Sequence, residues 1–249
     1  MIPKSGNRFS DKIMRKGNKM DFAGKHVVVT GGTGALGAAV VGGLLAQGAT
    51  CIVPYRRDSE AQHFEHRDNP KVKLIAAGDL ADEAAVARLY ADVPLWASIH
   101  IAGGFAPGKV ADTDKAALMA QIDGNLVSCF LCCRAALKAM AGNGGRIVNV
   151  AARPALEPRA GTGMTAYTIA KSGVATLTIA LAEEVAKDGI LVNAVAPSIM
   201  DTPANRAAMP KADFDKWPKV EEVAATILFL ASPDNKVTRG AIVPVYGKS

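Results

Sequence analysis

The sequence predicts a single α/β domain built on a doubly wound, parallel sheet of about seven strands. Three observations predict it. Short β-branched runs alternate with helical patterns from Lys25 onward. The 249 residues are 49% hydrophobic and 21% charged, the balance of one globular domain long enough to bury a large core. No internal repeat or low-complexity linker divides the chain. Strands that alternate with helices pair in parallel, and right-handed crossovers lay those helices on both faces of the sheet.

His26–Thr30, with its Val27-Val28-Val29 run, is the first predicted strand. The Ala- and Leu-rich stretch Gly34–Gln47 is a predicted helix, and Thr50–Pro54 the second strand. A short helix is expected at Ser59–His66, then a strand at Val72–Ala76 and a helix over Glu83–Tyr90. The strand Trp96–Ile101 leads to a long helix around Lys115–Met140 and to the strand Gly145–Val150. A helix through Tyr167 to about Lys187, the strand Ile190–Val195, a helix at Val220–Leu230 and a strand at Ala241–Val245 complete the pattern.

The first strand opens into Thr30-Gly31-Gly32-Thr33-Gly34-Ala35-Leu36-Gly37. Gly31, Gly34 and Gly37 crowd a strand-to-helix turn, where backbone must approach a pyrophosphate and helix must pack close to sheet. The amides that begin the next helix then face the phosphates. A Rossmann-type dinucleotide site is expected there, with Thr33, Ala35 and Leu36 completing the turn. The end of the second strand selects the cofactor, because an acid accepts from a ribose 2′-hydroxyl whereas arginine suits a 2′-phosphate. Here it runs Val53-Pro54-Tyr55-Arg56-Arg57-Asp58. The planar donor forks of Arg56 and Arg57 predict NADP(H), with NAD(H) also accepted. The alternative leaves both arginines in solvent and makes Asp58 the ribose partner.

Tyr167-Thr168-Ile169-Ala170-Lys171 begins an Ala-rich apolar run. A tyrosine and a lysine four apart on a helix share one face. The ammonium is expected to favour phenolate and so to lower the phenol pKa towards the working pH of a general acid/base. With the glycine turn upstream, the pair reads as hydride transfer coupled to proton transfer.

These residues resemble the short-chain dehydrogenase/reductase family over residues 22 to 247. The family's TGxxxGxG is matched at Thr30–Gly37, with Ala35 in place of the middle glycine, and its YxxxK by Tyr167 and Lys171. The resemblance implies that Lys171 also binds the nicotinamide ribose and that Asn125 holds a proton-relay water. It places Asp79 and Leu80 beside the adenine. Ala102, Gly103 and Gly104 stand at the family's Asn-Asn-Ala-Gly, with His100 and Ile101 replacing the asparagines. Pro197 and Thr202 resemble its nicotinamide-side loop, with Ser198 for the usual glycine.

One departure bears on chemistry. The family's carbonyl-binding serine is missing: the fifth strand ends Asn149-Val150-Ala151-Ala152-Arg153, and Pro154 lies thirteen residues before Tyr167. Thr162 or Thr165 is a candidate replacement. The missing serine, Ala102-Gly103-Gly104 before Phe105, and the run from Asp201-Thr202-Pro203 to Phe214 and Trp217 are similar to the dihydropteridine reductase subgroup. That resemblance implies a quinonoid dihydropterin, whose conjugated imine needs less polarisation than a ketone. Arg56 departs from that NADH-preferring subgroup. Phe105, Met164, Met200, Met209 and Trp217 are candidate pocket walls.

The formal charge of +6 is local. Residues 1–19 carry six basic side chains against Asp11, so the remaining 230 residues are nearly neutral. A basic leader, disordered or non-native, is expected to precede a domain over residues 20–249. No nucleic-acid partner is expected from a near-neutral domain, and no membrane, since no run reaches the ~20 apolar residues of a span. Cys129, Cys132 and Cys133 form a cluster without a second zinc-spaced pair, and they and Cys51 read as buried small hydrophobes in a reducing compartment, so no metal and a cytoplasmic location are expected. His63 and His66 read as solvated.

The predicted activity is NADPH-dependent reduction of a small carbonyl, imine or quinonoid substrate, with Tyr167 as proton donor. The competing reading is a cofactor-binding redox sensor or scaffold. A homodimer or homotetramer is expected, because Leu126–Ala139 and Thr176–Val185 are apolar around more of their circumference than one sheet face requires.

Overall fold

The structure, a computed structural model, describes residues 20–249. The expected basic leader lies outside the described residues. Seven strands form one parallel sheet: β1 His26–Thr30, β2 Thr50–Tyr55, β3 Val72–Ala76, β4 Leu95–His100, β5 Gly145–Val150, β6 Ile190–Pro197 and β7 Ile242–Val245. Their order is β3-β2-β1-β4-β5-β6-β7. The order reverses between β1 and β4, where a parallel sheet opens a crevice at its carboxyl edge. Register places Thr30 beside His100 and His100 beside Asn149, so three strand ends meet at that crevice.

The helices are α1 Ala35–Ala46, α2 Asp58–Gln62, α3 Glu83–Tyr90, α4 Lys115–Met140, α5 Arg153–Leu156, α6 Thr165–Glu184, α7 Pro203–Ala208 and α8 Val220–Ala231. On one face of the sheet, Val40 and Leu44 of α1 pack with Val223 and Ile227 of α8. On the other, Leu89 of α3, Cys132 and Met140 of α4, and Val174 and Leu181 of α6 form a second core. Burying each large aliphatic side chain contributes about 1.5–3 kcal/mol, so both faces hold the sheet in place. Asp82 caps α3 by accepting from the Ala84 and Ala85 amides, and Asp114 caps α4 by accepting from Ala117. By contrast, α1 begins at Gly34 with no side-chain cap, which leaves its first amides for a ligand.

Most predicted elements are present within a residue or two. The helix expected at Ser59–His66 is shorter, ending at Gln62. His63 Nδ1 bonds the Ser59 carbonyl at 2.7 Å and His66 Nε2 bonds the Ala38 carbonyl at 3.2 Å, so the two imidazoles are tied to separate carbonyls and His66 is half-buried against α1. The short helices α5 and α7 were not expected. Both are brief and begin near a proline, in stretches without an apolar stripe to announce them. The long helix α4 carries a π-helical turn at Asp123–Val127. An apolar window of this helix has mean hydropathy 1.4 but is only 33% buried.

Candidate active site

The crevice is a cleft of about 950 Å³. Gly31, Thr33, Gly34, Ala35, Leu36 and Gly37 line one wall, Arg56, Arg57, Asp79 and Leu80 another, and Ala102, Gly103 and Gly104 the floor towards α4. Thirteen of the residues expected to hold the cofactor are thus brought together. The glycines are there for space. Gly31 has φ +68°, and a Cβ on it would lie 2.7 Å from the Ala102 nitrogen. A Cβ on Gly37 would lie 2.1 Å from the Gly31 carbonyl, closing the gap between α1 and the turn. Bare backbone, uncapped amides and a cleft at the switch point fit a dinucleotide.

At the far end of the cleft the two arginines separate. Arg57 Nε donates to Glu60 at 2.9 Å, and the Arg56 backbone amide donates to the same carboxylate at 3.1 Å. Arg57 thus lines the cleft while paired to Glu60. The Arg56 guanidinium has no ion pair among the described residues and borders the cleft. Asp58, the alternative ribose partner, does not line the cleft, whereas Glu60 does. Burial pushes the Glu60 carboxyl up, but the Arg56 amide and Arg57 more than offset this and hold it below its ordinary value. Sequence reasoning missed Glu60; its spacing of three from Arg57 was the available signal. Tyr55, Ile101 and Ser128 also line the cleft unannounced.

Tyr167 lies in the first turn of α6, its ring edge-on to Phe105 at 5.1 Å between centroids. Lys171 is buried one turn further on, its Nζ 6.0 Å from the tyrosine ring centroid and donating to the Val150 carbonyl at 2.8 Å. The expected lowering of the Tyr167 pKa is not found. Burial pushes the phenol up to about 12, because the ring is desolvated. Burial also brings Lys171 down to about 8, with Cys129 opposing that shift. In the free protein the pair is a neutral phenol beside an easily deprotonated ammonium.

Asn125 sits in the π-helical turn of α4, a common way to aim a functional side chain. Its Nδ2 donates to the carbonyls of Gln121 and Gly104, both at 3.0 Å, and its Oδ1 accepts from the Gly104 amide at 3.3 Å. The Asn125 side chain thus clamps the glycine loop. A Cβ on Gly103 would meet Asn125 Oδ1 at 2.4 Å and Lys171 Nζ at 3.4 Å, which places Lys171 and Asn125 directly behind the cleft floor.

At the end of β5, Ala151 and Ala152 are buried and offer no hydroxyl. Thr162 does not replace it: the Thr162 hydroxyl is exposed and donates to the Arg159 carbonyl within its own turn. Thr165 opens α6, partly buried, with no hydrogen bond from its hydroxyl among the described residues. Pro197 ends β6, and the Thr202 hydroxyl accepts from the Asn205 amide to cap α7, so neither lines the cleft. Beyond Thr202, Arg206 pairs with Asp201 and covers the Phe214 ring at 4.7 Å, while Phe214 packs on Trp217 at 5.0 Å. Of the candidate pocket walls, Phe105 stands beside Tyr167 and Trp217 is buried in that loop cluster.

The cysteines are all unpaired and buried. Burial pushes Cys51 and Cys132 up to about 12, as for inert small hydrophobes. Cys129 goes the other way, pulled down first by the Cys133 thiol, and its neighbours are polar: Asn149 and His100 lie in the same cluster. All four cysteines are buried in the two cores, as expected of small hydrophobes, and Cys129 and Cys133 in addition face polar groups.

Residues 25–213 match the family described as short chain dehydrogenase. The chain is 34% identical over 245 residues to galactitol 2-dehydrogenase of Rhizobium johnstonii, covering 91% of this chain and 95% of that protein. It is 35% identical over 247 residues to cis-4-hydroxycyclohexanecarboxylate dehydrogenase of Sinomonas cyclohexanicum, covering 91% and 96%. A solved putative 2-deoxy-d-gluconate 3-dehydrogenase from Agrobacterium tumefaciens, with bound NADP, superposes with a TM-score of 0.83 at 29% identity, covering 92% and 98%. These relatives are named for sugar, sugar-alcohol and cyclic hydroxy-acid substrates, and they lend no support to the narrower dihydropteridine reductase resemblance.

Proposed function

The chain belongs to the short-chain dehydrogenase family and is an oxidoreductase; on that premise we propose that it uses NADPH to reduce a small carbonyl, imine or quinonoid compound, with Tyr167 donating the proton. The observation that carries this reading is Lys171, held behind the floor of a glycine-walled cleft at the β1/β4 switch point with its Nζ 6.0 Å from the centre of the Tyr167 ring. The cofactor supplies the hydride when bound. Everything else is done by the chain. The Gly31 to Gly37 turn and the free amides of α1 hold a pyrophosphate. The phenol of Tyr167, neutral up to about pH 12, is in the right protonation state to give its proton to the substrate oxygen or nitrogen as hydride reaches carbon. Lys171, down at about 8, then stands one turn away to return a proton to the phenolate. Asn125 fixes the glycine loop that borders this site.

Cofactor preference rests on Arg56, whose guanidinium borders the cleft with no ion pair among the described residues. The NADP in the Agrobacterium relative supports the same choice. Substrate class rests on Ala151 and Ala152. Without a hydroxyl there, a conjugated imine or quinonoid acceptor, pterin-like compounds included, suits the site better than an isolated ketone. The relatives favour a second reading, reversible oxidation of a secondary alcohol on a sugar or ring. A panel of quinones, diketones, dihydropterins and sugar alcohols, run with both cofactors, separates them. Turnover confined to the alcohols with NAD would overturn the proposal.

Self-association belongs to the same proposal. Phe130 on α4 and Ile169 and Ile179 on α6 are each half exposed, an apolar face on the two helices that the sheet leaves uncovered. A homodimer or homotetramer would bury them. Light scattering at micromolar concentration giving a monomer mass near 25.8 kDa would overturn it.

A further inference from the structure

A buried cluster behind Lys171 takes no part in the chemistry above. His100 ends β4, Asn149 faces it from β5, and Cys129 and Cys133 project one turn apart from α4. All four are at most 5% exposed. His100 Nδ1 lies 2.8 Å from Asn149 Oδ1, and Cys129 Sγ and Cys133 Sγ lie 3.3 and 3.5 Å from the same oxygen. Cys133 Sγ is also 3.5 Å from His100 Nδ1, and the two sulfurs and the imidazole donor all fall within 4.8 Å of one another. One imidazole N–H and two thiols thus converge on a single amide oxygen, which has lone pairs for only two of them.

We infer that His100 Nδ1, Cys129 Sγ, Cys133 Sγ and Asn149 Oδ1 form a closed, four-ligand structural site for zinc(II) or a divalent ion of similar softness. Tetrahedral zinc with bonds of about 2.0–2.3 Å sets its ligand atoms about 3.3–3.8 Å apart. The two S···O separations and the Cys133–His100 S···N separation already have that span, the N···O edge must open by about half an ångström, and the remaining edges lie within 4.8 Å. Binding releases one proton from each thiol, and the two thiolates then cancel the ion's charge, which a site this buried requires. The imidazole keeps one N–H, moved to Nε2, where Ser98 Oγ waits at 2.8 Å with Tyr90 OH 2.7 Å beyond it. Asn149 Nδ2 donates to Thr178 Oγ1 at 2.9 Å, which keeps its oxygen turned to the cluster. A groove of about 340 Å³ between α3 and α4 has Tyr90 in its wall, at the outer end of that hydrogen-bonded chain. With every position filled by protein, the ion would tie α4 to β4 and β5 and take no substrate.

The test uses the full chain stripped of metal, with zinc(II) as probe, in two arms: prolonged equilibration of the folded protein, and refolding from denaturant with the ion present. Competition against a chromophoric chelator is expected to show one zinc per chain and about two protons released. Cobalt(II) in its place is expected to show a thiolate-to-cobalt absorption band, and zinc to raise Tm by mass action. Cys129→Ser and Cys133→Ser should each weaken zinc at least about tenfold, while Cys51→Ser, remote from the cluster in the other core, keeps it. Should a serine variant fail to fold, the cobalt spectrum of the unmodified chain decides. No stoichiometric uptake in either arm, no thiolate band, or undiminished binding by both serine variants would each overturn the inference.

Discussion

The cofactor half of the sheet and its catalytic half are built from different material. From β1 to β4 the site is backbone: Gly31, Gly34 and Gly37 make room, and the uncapped amides of α1 supply the charge. From α4 through α6 it is side chain: Asn125 is clamped on Gly104 and Lys171 is bonded to Val150, with the buried His100–Asn149 pair behind them. A backbone site depends on residues adjacent in sequence. A side-chain site depends on groups brought from distant elements and desolvated together, so its protonation states follow from burial. The first half should therefore respond to shape and the second to charge.

The largest expected effect tests whether the halves separate at all. Tyr167→Phe should lower kcat by about 10² to 10⁴, the worth of a general acid, and leave cofactor Kd within a factor of about two. Equal losses in both would erase the distinction.

Next comes the pH dependence of stability. Lys171 has its folded pKa lowered to about 8 from 10.5, so between those values the unfolded chain binds a proton that the folded chain does not. Stability from this residue therefore rises with pH over that window, by something on the order of 3 kcal/mol at most. Tyr167, raised to about 12 from 10, acts oppositely, stabilising below pH 10 and losing that contribution between 10 and 12. Denaturant titrations from pH 7 to 11 should show the rise in the unmodified chain and not in Lys171→Met. Parallel curves for the two would mean that burial does not set the lysine's charge.

Gly31→Ala probes the backbone half. At φ +68° a side chain costs about 1–2 kcal/mol, and its Cβ would strike the Ala102 nitrogen. Cofactor Kd should rise tenfold or more by fluorescence titration, with kcat at saturation nearly kept. The smallest effect sharpens the one charged part of that half. Arg56→Ala should weaken NADPH about tenfold while leaving NADH nearly unchanged, because only the 2′-phosphate loses a charge-assisted partner. Equal losses would assign selection elsewhere, with Glu60 the first residue to examine.

By itself the sequence determined whatever depends on short spacing. Short β-branched runs and helical patterns placed all seven strands and the long helices; the glycine turn and the four-residue step from Tyr167 to Lys171 located the two halves of the site. Only the tertiary structure decided what those groups are bonded to. It turned Lys171 to Val150 O, spent Asn125 on Gly104, gave Arg57 to Glu60, and raised the Tyr167 pKa where spacing alone predicted a fall. It also brought His100 to Asn149, 49 residues away, and to the cysteines of α4. Spacing along one helix says which side chains share a face. Desolvation and the pairing of strands distant in sequence, which set charge and partner, arise only when the sheet assembles.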